Sequence, residues 1–212
     1  MDLSSLWSIL GSSLEGSQNH EPATDKAAFH EIISTVNALI RLRRDLVTST
    51  LPHLAFILRR LLMSLRHLRP QLGAKQSKMV TDTLPVWINP NQPFTSEESK
   101  ALARLLTTMT TKTVVRGQQS STDAGKAESL ARPFSKHAAY VLQAYIEVLN
   151  DPLCVIPVDM RRELEPGLFA LCEMMGEYNR DALMVASLDA GGKTVLKSIW
   201  REYEKQKYVG KG

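Results

Sequence analysis

The chain is short of aromatic residues, of cysteine and of long apolar runs, and each shortage removes a class of protein. Aromatics make up 6% of the 212 residues, which is thin for an all-β protein. Leu and Ala outnumber Val, Tyr and Phe, and that balance leans towards helices. Cys154 and Cys172 are the only cysteines, so there is no disulfide framework, and a chain of this length needs none. The longest apolar runs, such as Leu54 to Leu58, are far too short to cross a bilayer. The first helix-like stretch begins acidic and lacks a basic flank followed by an apolar signal core. An intracellular, reducing compartment without membrane contact is expected. The apolar fraction of 43% is enough for a core in one large or two small domains.

Chemical motifs are equally sparse. Gly192-Lys193-Thr194 resembles part of a phosphate loop, but Ser187 stands where that loop needs glycine, and a helical pattern precedes it instead of a strand. An isolated phosphate contact at that turn is the weaker alternative to a solvated turn. A thiol enzyme needs a cysteine beside a base, and nothing in the spacing brings Cys154 or Cys172 to His137. His20, His30, His53, His67 and His137 are dispersed, so metal-ligand spacing is absent. Glu163, Glu165 and Glu173 carry no sign of the unlike environments that acid–base catalysis requires. No catalytic residue, metal or cofactor is expected.

What is present is helical periodicity. Leu3, Leu6, Trp7 and Leu10 form a short stripe, and Gly11 to Pro22 reads as a linker. Thr24 is placed to cap a helix striped by Phe29, Ile32, Ile33, Val36 and Ile40, with Arg43 at its end. Thr50 and Pro52 open another, carrying Leu54, Ile57, Leu58, Leu61, Leu62, Leu65 and Leu68. Residues 70–93 read as a long connection with an extended piece from Leu84 to Ile88. Thr95 and Glu98 spell a capping box before Ala101, Leu102, Leu105, Leu106 and Met109.

A helix through Ala139, Leu142, Tyr145 and Leu149 stops at Asn150-Asp151-Pro152. Pro166 starts a turn or kinks the next helix, and Gly176 ends it. Asn179 to Leu188, a turn at Ala190 to Gly192, and Thr194 to Tyr203 complete the chain. The expected fold is all-α, an irregular helical-repeat or α-solenoid-like bundle of antiparallel helices, without a clean repeat period. Residues 1–116 and 134–212 read as two helical halves packed as one domain, joined by a polar loop over 117–133.

Charge is modest in total, +4, but uneven. Arg41 to Lys78 hold nine Lys or Arg against one Asp, whereas residues 1–40 are acidic. Such a block attracts nucleic acid or an acidic surface, unless the cations merely solvate helix faces. Arg41, Arg43, Arg44, Arg59, Arg60, Arg66 and Arg69 are the RNA candidates, because phosphate contacts need cationic donors without a base-reading pocket. Of the aromatics near the C-terminus, Tyr145 and Trp200 are expected to pack helices together, and Tyr208 to lie at the surface. Tyr203, Lys207, Tyr208 and Lys211 are the protein-contact candidates.

Four clusters in the last third carry a family resemblance. They are Lys136-His137-Ala138-Ala139-Tyr140 with Tyr145; Arg162-Glu163-Leu164-Glu165-Pro166-Gly167-Leu168-Phe169-Ala170-Leu171; Leu188-Asp189-Ala190-Gly191-Gly192-Lys193; and Leu196 through Trp200 to Tyr203, with Lys207 and Gly210-Lys211. This pattern resembles the C-terminal domain of the nucleolar pre-ribosomal RNA processing family called unhealthy ribosome biogenesis protein two. The leucine-rich helices from 29 to 68 agree with it only generally. The resemblance implies the C-terminal part of a longer, non-catalytic scaffold that acts in early assembly of the large ribosomal subunit. Implied partners are another long helical scaffold, a DEAD-box RNA helicase complex and small adaptor proteins. Pre-ribosomal RNA is a further partner to be expected, either beside the proteins or as the main ligand of a direct RNA-binding module built on residues 41–78. The segment from Gly117 to Glu128 resembles a lineage-specific insertion.

Overall fold

Apolar stripes at helical spacing dominate the chain, and in the computed structural model they close on one another as an all-α bundle. The structure describes residues 3–15, 24–114 and 127–209. In chain order these form α1 (Ser4–Ser13), α2 (Lys26–Leu42), α3 (Arg44–Thr48), α4 (Leu51–Ser64), β1 (His67–Leu68), α5 (Ala74–Thr81) and α6 (Ser96–Thr108). There follow β2 (Thr113–Val114), β3 (Ala127–Glu128), α7 (Ala131–Asn150), β4 (Cys154–Val155), α8 (Val158–Ala186) and α9 (Ala190–Tyr208).

The leucine stripe of α4 lies fully buried against α7. Helix α8 packs on both α6 and α7, α2 lies against α6, α1 against α4, and α9 closes over α7 and α8. A single apolar cluster therefore runs from Leu3, just before α1, to Trp200 on α9. Much of the polar segment expected over 117–133 lies outside the described residues. Within it β3 pairs back to β2, which precedes it, and α7 begins at Ala131.

Several local expectations change for identifiable reasons. Asp25, not Thr24, caps α2: its carboxylate accepts from the Ala28 amide at 3.0 Å. Thr24 instead accepts from the Asn89 amide at 2.9 Å and donates to the Gln92 carbonyl, tying the start of α2 to the connection before α6. Helix α4 stops at Ser64 although Leu65 and Leu68 continue the stripe. Backbone groups from His67 onward find other partners, since β1 pairs antiparallel with β4. The connection 70–93 contains α5, and Leu84 to Ile88 is a turn region, closed by the Ile88 amide on the Pro85 carbonyl at 3.0 Å, not an extended piece. Helix α1 continues through Gly11 to Ser13, which corrects the start of the linker read from Gly11; residues 16–22 of that linker lie outside the described residues. Residues 190–192 are the first turn of α9.

The capping box at Thr95 and Glu98 does form. The Thr95 amide and hydroxyl both donate to the Glu98 carboxylate, at 2.7 and 2.8 Å. Glu98 is buried, and Lys26 Nζ and His30 Nε2 of α2 approach its other oxygen at 3.8 and 3.5 Å. Burial pushes this carboxyl up. The Thr95 donors, its own amide and Lys26 outweigh that penalty and hold it below the usual value.

Two glycines set the course of α8. Gly176 has φ 68° and ψ 174°, backbone angles reserved for glycine, and the helical path breaks there, as expected; Pro166 passes with helical backbone. Gly167 faces α6 so closely that an added Cβ would lie 2.8 Å from Ala103 Cα and 3.0 Å from Leu106 Cδ1. Gly167→Ala is expected to destabilise the chain by about 1–3 kcal/mol, because backbone must move to admit the methyl group, and this outweighs alanine's better helix propensity. A urea titration reads the effect as a lower midpoint; an unchanged midpoint would show that α6 yields freely.

Candidate functional site

The basic block does not present its seven arginines together. Arg44 and Arg66 are buried at 6% and 9% exposure, which corrects the expectation that both stand outward. Arg44 donates to the Thr111 carbonyl at 3.4 Å, and Arg66 donates to the Thr83 hydroxyl. Burial lowers the Arg66 pKa, as taking a cation out of water must. Arg43 pairs with Asp45 at 3.1 Å. Arg59 pairs with Glu147 of α7 and sits 4.7 Å from the Tyr140 ring centroid. Arg60 stacks 5.4 Å from the Phe56 ring centroid. Arg69 donates to the Cys154 carbonyl at 3.1 Å but is otherwise exposed, as is Arg41 at the end of α2. The block is therefore partly mortar between α4, α5 and α7.

No catalytic constellation assembles from the residues weighed in the sequence. Cys154 and Cys172 are buried, and burial pushes each thiol up to about 12, with Asp151 adding to the shift at Cys154. His137 packs against Phe134, 5.7 Å between ring centroids. Glu163 faces Lys100 at 3.8 Å. The Gly192 amide, which a phosphate would need, donates to the Asp189 carboxylate at 2.7 Å, and Asn150 Nδ2 donates to the same carboxylate at 2.9 Å. Among the described residues no group of three or more His, Cys, Asp or Glu is placed to hold a metal ion. No helix among them is long and apolar enough to cross a membrane.

Concave surface gathers instead around α9. Trp200 and Tyr203 are 5.4 Å apart, and Tyr203 meets Phe169 of α8 at 6.2 Å. Arg180, beyond the break at Gly176, lies 4.7 Å from the Trp200 ring centroid. Trp200 Nε1 donates to Glu204 at 2.8 Å. Phe169 lines a groove on each side of this aromatic seam. One groove, about 530 Å³, lies between α7, α8 and α9 and includes Tyr145, Arg161, Arg162 and Ile199. The other, about 580 Å³, lies between the end of α6, α8 and α9 and includes Tyr203 and Lys207.

Two protein-contact candidates, Tyr203 and Lys207, thus line one groove, Lys207 Nζ lying 5.6 Å from the Tyr203 ring centroid. Tyr208 and Val209 continue the surface at 66% and 82% exposure. Lys211 lies outside the described residues. The sequence reading missed the groove role of Tyr145, whose burial at 4% fits a packing residue but whose hydroxyl end borders open space.

The family model described as Urb2/Npa2 family matches residues 1–211. No curated protein and no solved structure matches the chain. The match extends beyond the last third that carries the sequence resemblance and covers the leucine-rich helices as well.

Both thiols are expected to resist iodoacetamide in the folded chain at neutral pH and to label fully in denaturant, as buried, protonated thiols do. Mass spectrometry reads the labelling. Rapid modification of Cys172 in the folded chain would reopen thiol chemistry.

Proposed function

The chain belongs to the Urb2/Npa2 family, a family of ribosome-biogenesis factors not known as enzymes, and on that premise we propose that it is a non-catalytic scaffold for early large-subunit assembly and pre-ribosomal RNA processing in the nucleolus. Its role is to hold protein partners in place. The proposed partners are another helical scaffold, a DEAD-box helicase complex and adaptor proteins.

The observation that carries this reading is the surface of α9. Its last turns expose Tyr208 and Val209 beside a groove walled by Tyr203 and Lys207. Aromatic side chains with a polar end give large contact area at a wet rim, which suits a protein interface. The helix beneath is anchored by Trp200 in the common core, so the surface is ordered before a partner arrives. A preformed surface lowers the ordering cost of assembly, which is how a scaffold without catalysis accelerates assembly.

Direct RNA binding through the basic block has less support. Arg44 and Arg66 are buried, and Arg43 and Arg59 are paired with carboxylates. Arg41, Arg60 and Arg69 face no carboxylate among the described residues, although Arg60 rests on Phe56 and Arg69 donates to the Cys154 carbonyl, and these three are the remaining RNA candidates.

Lys207→Glu with Tyr208→Ala in the full chain is expected to cut recovery of helicase-containing ribosome precursors by about tenfold after nuclease treatment, the scale of losing an interface anchor. Circular dichroism checks that the fold persists, and undiminished recovery would refute this contact site. A filter-binding titration of Arg41→Glu, Arg60→Glu and Arg69→Glu together separates the RNA reading. Unchanged RNA affinity and salt dependence would eliminate it.

A further inference from the structure

The groove between α7, α8 and α9 offers a donor that no group of the described chain occupies. Tyr145 reaches it from α7, and although the residue is 4% exposed, its hydroxyl has no hydrogen-bond partner among the described residues. The hydroxyl is open to solvent in the groove, so an incoming acceptor would take the place of water there. Burial pushes the phenol up to about 12, so at neutral pH it stands ready as a donor.

The surroundings say what that acceptor is attached to. Leu149, Leu168, Val195 and Ile199 supply an aliphatic floor, and Val158 stands 62% exposed at one end. Arg161 and Arg162, on the first turns of α8, are exposed and form no ion pair among the described residues. Two carboxylates share the rim, but Glu202 is held by Lys205 at 2.8 Å, leaving Glu165 alone against two free guanidinium groups. Cations and a phenol donor lining the same groove as these aliphatic side chains match a segment that offers apolar side chains and a carboxylate together. Five aliphatic side chains line the groove against two aromatic ones, Tyr145 and Phe169, so it offers more cover to apolar side chains than to stacked bases.

We propose that this groove docks a short acidic, apolar peptide segment of a protein partner, its carboxylate accepting from the Tyr145 hydroxyl and pairing with Arg161 or Arg162 while its apolar side chains cover Ile199 and Val158. This inference rests on the scaffold reading but uses a surface separate from the one bearing Lys207 and Tyr208.

The test is selection from a random-peptide phage library on the full chain, followed by fluorescence anisotropy with labelled synthetic copies of the selected peptides. Sequences combining Asp or Glu with Leu, Ile or Phe are expected. Their affinity should fall about tenfold with Arg161→Glu plus Arg162→Glu and about threefold with Tyr145→Phe. The two arginines are exposed, so that variant keeps its fold even if the tyrosine variant does not. Lys207→Glu with Tyr208→Ala should leave peptide affinity unchanged, which separates failure of this site from failure of the α9 end. Recovery of no peptides, recovery of basic ones, or binding indifferent to the arginine pair would overturn the proposal. So would a labelled single-stranded RNA oligonucleotide that binds through those two arginines while the selected peptides do not.

Discussion

The close approach of α8 to α6 at Gly167 and Ala103 is the constraint on which the rest of the bundle depends. With no side chain on one helix and a methyl group on the other, the two backbones meet directly, and an added Cβ would lie 2.8 Å from Ala103 Cα. That contact sets how deeply α8 sinks between α6 and α7. It thereby fixes where Phe169, two residues on, emerges between the two grooves. Dispersion between packed atoms is individually weak but falls steeply with separation, so a small shift here would loosen contacts all along the helix. Glu98 secures the other side of α6, against α2. Its buried carboxylate closes the start of α6 and draws in Lys26 and His30 of α2.

The elements that could be read from the sequence are those whose signal is local and periodic. Leu54, Leu58, Leu61, Leu62 and Leu65 repeat at helical spacing, and all are buried where that spacing puts them. Thr95 and Glu98 announce a helix start within four residues, and Gly176 announces a break by its backbone freedom. The misreadings needed information from far along the chain. Leu68 keeps the α4 period, yet it pairs with Cys154 in β4, a partner no local window contains. Thr24 and Asp25 are both acceptable caps by residue type. Only the approach of Asn89 and Gln92 decides that Thr24 is engaged elsewhere.

The candidate surface was legible by residue type and not by role. A count of arginines gives the sign of a field but not the direction of a guanidinium group, and Arg66 turns inward to the Thr83 hydroxyl in the segment after α5. Tyr145 is a packing residue by periodicity and is buried accordingly. That its hydroxyl end borders a groove follows from the placement of α9, which a pattern on α7 alone does not contain. The family match from residue 1 to 211 has the same character. The compact clusters of the last third suggest it, while the leucine stripes, which many helical proteins share, add little until they are taken together.

The break at Gly176 has one further consequence. A Cβ built there meets nothing within 4 Å, so no neighbour crowds the first atom of a side chain. What restricts it is torsion, because φ 68° with ψ 174° disfavours every L side chain whatever its volume. Even a methyl group is therefore opposed at this position by torsion and not by crowding. Its cost falls on the heading of the ten residues that follow, which carry Arg180 to the face of Trp200.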